Sequence, residues 1–238
     1  MLLYYLRHGD PIYNPDSLTP LGHEQARSLA KRLAMYGVDE IYSSDSVRAM
    51  ETAQPTCDLL KKEKTLLPWA HENRAWEQLT VTLESGRRTW CFFDPRCVEQ
   101  FNSAEVRAMG DKWYEHPYFK DTSFKEGIER VDREADAFLL SLGYRHDREK
   151  HRYELVEPNE KRVALFAHQG FGMAFLSSIL DIPYPMFCTH FNISHTSMSV
   201  IQFDETAGFS YPKAIQLSND SHLYRDGLLT GYNNGIRV

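Results

Sequence analysis

The chain has 238 residues, 42% of them hydrophobic and 25% charged, the profile of a globular protein able to bury one sizeable core. A formal net charge of −6 excludes the broadly basic surface that nucleic acid or an anionic membrane selects, so an anionic ligand must find a local positive pocket. Four scattered cysteines (Cys57, Cys91, Cys97, Cys188) without Cys-x-x-Cys spacing indicate neither a disulfide framework nor a zinc site, and an opening apolar run broken at Arg7 is too short for a leader or a membrane span. The expected location is the cytoplasm.

Residues 1 to 9, Met-Leu-Leu-Tyr-Tyr-Leu-Arg7-His8-Gly9, read as an apolar strand that stops at a cation, an imidazole and a glycine. A strand end is a rigid mount, and Gly9 lets the chain turn away, so Arg7 and His8 are expected together at a sheet edge. Thr19-Pro20 then pairs an N-cap with a proline at the first helical position, predicting a helix to about Tyr36 with Ala26, Leu29, Ala30 and Leu33 as its buried stripe and Gly37 as its stop. Val38 to Tyr42 reads as a second strand. Ser43-Ser44-Asp45-Ser46 supplies loop and cap residues before a helix over Val47 to Ala53, which Pro55 is expected to interrupt or kink.

A third strand is predicted near Thr65 to Leu67. From Ser85 to Phe124 the pattern changes to a stretch dense in aromatics, with one helical run near Ala104 to Tyr114, and it reads as an inserted lid at about 85–124. Its aromatics (Trp90, Phe92, Phe93, Phe101, Trp113, Tyr114, Tyr118, Phe119) either form the insertion's own core or wall the substrate. They also offer a surface for a homodimer contact.

A helix resumes over Glu126 to Leu142, with Ile128, Val131, Ala135, Phe138 and Leu142 at spacings of three and four, and Gly143 ends it. Tyr153 to Val156 and Arg162 to Ala167 read as strands flanking a hairpin turn at Pro158-Asn159-Glu160-Lys161. Gly170 to Leu180 follows as a helix, and Met198 to Phe203 and Ala214 to Leu217 as late strands near the sheet edge. Strand-helix-strand-helix is the grammar of a mainly parallel sheet. The expected fold is a three-layer α/β/α arrangement, one domain over 1–238 with helices on both faces and the lid inserted.

Four features carry the chemistry: Arg7-His8-Gly9, Arg48 at the start of the second helix, Glu77 in Arg74-Ala75-Trp76-Glu77, and His168-Gln169-Gly170. In a parallel sheet, positions where strands give way to loops share one edge. Two arginines can neutralise a phosphoryl group and hold it bidentately, a neutral imidazole can attack phosphorus, and His168 can serve as a second donor. The arginines also push His8 toward its neutral, nucleophilic form. The remaining histidines lack metal-binding spacing, since His146 and His151, like His190 and His195, are five apart, and neither a metal nor a cofactor is expected.

These motifs resemble the histidine phosphatase superfamily, in the branch shared with cofactor-dependent phosphoglycerate mutases. Arg7, His8, Gly9 and Asn14 meet its Arg-His-Gly pattern with an asparagine five residues on. Leu18, Thr19 and Gly22 meet its Leu-Thr-x-x-Gly, and Ser43, Ser44, Arg48, Ala49, Thr52 and Ala53 its Ser-Ser, Arg-Ala and Thr-Ala elements. The resemblance implies that His8 is the nucleophile of a phosphohistidine mechanism and that Arg7, Arg48 and His168 bind the phosphoryl group. It also implies a carboxylic acid that protonates the leaving group, for which Glu77 is the positional match and Glu72 and Glu84 are rivals. Asn14 and Gln169 are the further substrate-binding candidates.

The chain departs from the pattern at Asp10-Pro11, at Gln169 where a glycine commonly follows the second histidine, and at Ala75 where a leucine usually precedes the acid. The reading is a metal-independent phosphomonoesterase acting on a small phosphorylated metabolite. The short Asn14-to-Leu18 loop, without the longer aromatic segment of glycolytic mutases, makes mutase-type phosphotransfer the alternative, with a phospho-ligand binder that has lost turnover as the second.

Overall fold

The computed structural model describes residues 1–232. In chain order its elements are β1 (Leu2–Arg7), β2 (Pro11–Tyr13), β3 (Asp16–Leu18), α1 (Pro20–Ala34), β4 (Glu40–Ser43), α2 (Val47–Leu60), β5 (Lys64–Leu66), α3 (Glu72–Gln78), β6 (Thr80–Thr82), β7 (Arg88–Trp90), α4 (Pro95–Phe101) and α5 (Ala104–Met109). Then come α6 (Phe124–Ser141), β8 (Tyr144–Asp147), β9 (Arg152–Leu155), β10 (Arg162–Ala167), α7 (Gln169–Ile179), α8 (Tyr184–His190), β11 (Met198–Gln202), β12 (Phe209–Ser210), β13 (Lys213–Asn219) and α9 (Ser221–Arg225). Six strands form the central sheet in the order β13-β11-β1-β10-β4-β5. The pairs β1/β10, β10/β4 and β4/β5 are parallel, while β11 and β13 add an antiparallel flank.

Successive side chains of a strand face opposite ways, and here both faces are apolar, so both must be covered by helices. Tyr4 and Leu6 of β1 with Ala164 and Phe166 of β10 pack on Leu29 and Leu33 of α1 and Ala53 and Cys57 of α2. Leu3 and Tyr5 with Val163 and Leu165 pack on the other side against α6 and α7, through Val131, Phe138, Phe171 and Phe175. Three layers result. Among the described residues no helix is long and apolar enough to cross a membrane.

Local signals set most boundaries. The Thr19 side chain accepts from the Gly22 amide at 3.0 Å and Pro20 opens α1, while Gly37, at φ +74°, follows its end. Two expectations need correction. Pro55 does not interrupt α2, which continues to Leu60, because the proline removes one backbone donor only and the buried Ala53, Thr56 and Cys57 anchor the turns on either side. Residues 158–161 do not form a hairpin: β9 pairs with β8 and β12, whereas β10 enters the central sheet between β1 and β4. Gly9 turns the chain away as expected, without a positive φ. Its role is close approach, since a Cβ there would lie 2.7 Å from the Gly22 carbonyl oxygen, packing the loop after β1 against the start of α1.

Within residues 85–124, the predicted helix splits at Gly110, which sits at φ +56° and begins a 3-10 turn to Glu115, and α4 adds a helix opened by Asp94-Pro95. Its aromatics divide. Phe101, Trp113 and Phe119 are buried against one another and against Phe124 and Tyr184, with Phe101 and Trp113 ring centres 5.3 Å apart, whereas Trp90 turns to the site described next.

Candidate active site

Because β1, β4 and β10 run parallel, their C-terminal ends meet. Arg7 is the last residue of β1, Ser43 that of β4 and Ala167 that of β10, and His8, the Ser44–Arg48 turn and His168 follow directly. Arg7, His8 and Arg48 line one cavity of about 840 Å³, together with Asp16, Glu72 and Gln169.

His8 is 3% exposed, and its Nδ1 lies 2.7 Å from the carbonyl oxygen of Gly9. A carbonyl only accepts, so Nδ1 carries the proton and Nε2 keeps its lone pair. Burial, then the charges of Arg7 and Arg48, hold the ring well below the ordinary histidine range, leaving a neutral imidazole at neutral pH. The backbone around it is pinned: the Gly9 amide donates to Thr52 Oγ1 at 3.0 Å and the His8 carbonyl accepts from the Thr196 amide at 3.2 Å. Arg7 is fully buried and donates through Nη1 to the Ile193 carbonyl at 2.5 Å. Burial lowers its pKa to about 10, so it stays cationic at neutral pH.

Arg48 is held from two sides. Nη1 donates to Asp16 Oδ1 at 2.7 Å and Nη2 to His168 Nδ1 at 3.2 Å. A guanidinium only donates, so His168 Nδ1 accepts, and its Nε2–H points to Ser44 Oγ at 2.8 Å. His168 is fully buried, 5.3 Å from the His8 ring centre, and burial followed by Arg48 keeps it neutral. It does not line the cavity. His168 is placed beside His8 and as a partner of Arg48.

The carboxylate is where the structure departs from the predicted set. Glu77 is exposed and does not line the cavity, and the Glu84 side chain is 92% exposed. Glu72, the first residue of α3, is the glutamate on the cavity wall, with Oε1 accepting from the Gly170 amide at 2.8 Å and Oε2 from the Phe171 amide at 3.0 Å. The N-terminus of α7 thereby fixes its direction, while burial, outweighing those two amides, raises its pKa. Glu77 fails for a helical reason. Five residues after Glu72 in α3, it is rotated about 140° from it, on the outer face.

Asn14 is exposed in the β2–β3 turn, outside the cavity. Gln169 reaches the cavity edge, where its Nε2 donates to Asn192 Oδ1. The lining residues that were not foreseen include Asp16, His71, Trp76, Arg87 and Arg88, whereas Trp90 is one of the insertion aromatics read as a wall for the substrate. His71 caps α3 by accepting the Asn73 amide on Nδ1 at 3.1 Å, which leaves Nε2–H as a further donor. Trp76 and Trp90 meet edge to face with centres 5.0 Å apart. Trp90 rests on Gly170, where a Cβ would fall 2.2 Å from its ring. Only the Gly170-Phe171-Gly172 spacing hinted at such crowding. The whole arrangement offers an imidazole nitrogen, the cations Arg7, Arg48, Arg87 and Arg88, and a glutamate lining one cavity, which suits attack on a phosphoryl group. Among the described residues, no group of three or more His, Cys, Asp or Glu side chains is arranged to hold a metal ion.

Comparison with known proteins identifies a family and a fold. The family model described as the histidine phosphatase superfamily (branch 1) matches residues 3–210. A curated relative, putative phosphoserine phosphatase 2 of Hydrogenobacter thermophilus, is 25% identical over 153 residues, 60% of this chain and 68% of the relative. The crystal structure of a phosphoserine phosphatase from Entamoeba histolytica, in complex with 3-phosphoglyceric acid, superposes with a TM-score of 0.60 at 19% identity, covering 93% of this chain and 98% of that one. A mycobacterial glucosyl-3-phosphoglycerate phosphatase in complex with inorganic phosphate does so at 0.59 and 18%, with the same coverage. At these identities the two structures speak to the fold.

Proposed function

The chain belongs to branch 1 of the histidine phosphatase superfamily, and from that premise we propose that it is a phosphomonoesterase for a small phosphorylated metabolite, working through a phosphohistidine at His8. The observation that carries this reading is the fixed tautomer of His8: a neutral ring with Nδ1–H held by Gly9 and a bare Nε2 in a cavity shared with Arg7, Arg48 and Glu72.

In the first step Nε2 attacks phosphorus in line, the ester P–O bond breaks, and Glu72, whose protonated form burial favours, gives its proton to the leaving alkoxide. Arg7 and Arg48 stabilise the charge on the equatorial oxygens, and His168 holds Arg48 in place. In the second step Glu72, now a carboxylate, takes a proton from water as the oxygen bonds to phosphorus and the P–N bond breaks, releasing inorganic phosphate and neutral His8. The phosphoserine and glucosyl-3-phosphoglycerate named for the relatives belong in the first substrate panel.

Rapid-quench trapping with labelled phosphomonoesters tests the reading. Label on the wild-type protein that disappears in His8→Ala is the expected result. Phosphate release without label on His8, or no label and no release across the panel, would overturn it.

A further inference from the structure

The phosphate pocket already contains an anion of its own. Asp16 presents both carboxylate oxygens to the start of α2: Oδ1 accepts from Arg48 Nη1 at 2.7 Å and Oδ2 from the Val47 amide at 2.8 Å. The Arg48 side chain is 7% exposed and Asp16 28%, so the pair sits in the cavity wall with little water to screen it. The ring of Tyr13, from the same β2–β3 hairpin, lies 5.5 Å from the same guanidinium.

Resting on the phosphatase reading above, we propose that Asp16 is a built-in competitor for Arg48, a positioning residue that weakens the hold on the phosphoryl group so that product phosphate leaves. A carboxylate and a phosphoryl oxygen want the same charge-assisted donors, and two anions on one guanidinium repel each other. Substrate and product therefore both bind against Asp16. The penalty weighs most on inorganic phosphate, which has no leaving group to gain contacts elsewhere in the cavity. The hairpin does not depend on this contact alone, because Glu51 of α2 also accepts the Leu18 amide at 2.7 Å.

The experiment compares Asp16→Asn, nearly isosteric and uncharged, with Glu51→Ala, which loosens the same hairpin without touching the cavity. Inhibition by inorganic phosphate is measured, with phosphate binding followed independently by calorimetry. Asp16→Asn is expected to tighten phosphate by about three- to ten-fold, the span of a partly exposed ion pair, and to lower KM and kcat together as release slows. Glu51→Ala should leave phosphate binding within about two-fold of wild type. Unchanged or weaker phosphate binding in Asp16→Asn would overturn the proposal and make Asp16 a strut that orients Arg48. An equal tightening in Glu51→Ala would overturn it too, assigning the effect to hairpin mobility. Wild-type protein that neither binds phosphate nor releases it from esters would instead bring down the phosphatase reading beneath it.

Discussion

Glu72 and Gly170 are 98 residues apart in sequence, yet the Glu72 carboxylate accepts the Gly170 amide at 2.8 Å and so joins the start of α3 to the start of α7, directly after His168. That bond fixes which glutamate of α3 faces the cavity. It aims Glu72 into the cavity of His8, while its neighbour along the helix, Glu77, faces out.

Glu72→Gln keeps the shape and removes the proton. Turnover of alkyl phosphates should fall by ~10²–10⁴-fold, and that of nitrophenyl phosphate much less, because nitrophenolate leaves without protonation. Glu77→Gln should remain within about two-fold of wild type, as surface changes do. Steady-state kinetics on both substrates check this, and equal losses on the two for Glu72→Gln would remove it as the acid.

The pH profile of kcat/KM follows from two shifts of opposite sign. His8 must be neutral, and burial with Arg7 and Arg48 holds its pKa well below 6.5, so activity should rise with pH through a value well under the ordinary histidine range. Glu72 must be protonated, and burial raises its pKa, so activity should decline as pH climbs through that raised value. In Glu72→Gln the alkaline limb should vanish. An acid limb at or above 6.5 in the wild-type protein would contradict the assignment of His8.

Gly170→Ala puts a methyl group 2.2 Å from the Trp90 ring, a contact that the rigid indole cannot relieve by bending. The expected cost is about 1–3 kcal/mol of stability, with a loss of turnover because the displaced helix end also carries Glu72. Trp90→Ala in the same chain should restore part of the stability. Chemical denaturation of both single variants and the double variant reads the coupling directly, and additive losses would mean the two do not press on each other.

At the C-terminal end of α7, His146 has a fully buried side chain with Nδ1 at 2.9 Å from Asp136 and Nε2 at 3.0 Å from Asp181, stacked 4.1 Å from Tyr153. Arg148 pairs with the same Asp136, and with Asp132. Burial by itself lowers the pKa of His146, but the hydrogen bonds to Asp136 and then Asp181 raise it above the ordinary value. A folded pKa above the unfolded one gives stability that is complete below about pH 6.5 and is lost as pH rises through the raised value. His146→Gln should therefore cost on the order of 3 kcal/mol at about pH 5.5 and clearly less at about pH 9. Urea unfolding at both values checks the sign, and a larger cost in alkali would refute it.

Much of this was legible from the chain itself. Arg7, His8, Arg48 and His168 sit at strand ends or a capped helix start, places fixed by local propensity, and parallel strands bring such ends together whatever the rest of the fold does. The helix over residues 20–34 was likewise written in Thr19, Pro20 and Gly37.

What the sequence alone determined, then, was that Arg7, His8, Arg48 and His168 stand at strand and helix ends of one parallel sheet, because short-range rules place each of them. The inward turn of Glu72, the Asp16–Arg48 pair, the role of Gly9 against Gly22 and the seat of Trp90 on Gly170 were decided only by tertiary structure. Each depends on where two elements distant in sequence come to rest. A glutamate on a seven-residue helix shows no sign of which face will turn inward until another helix end takes hold of its carboxylate.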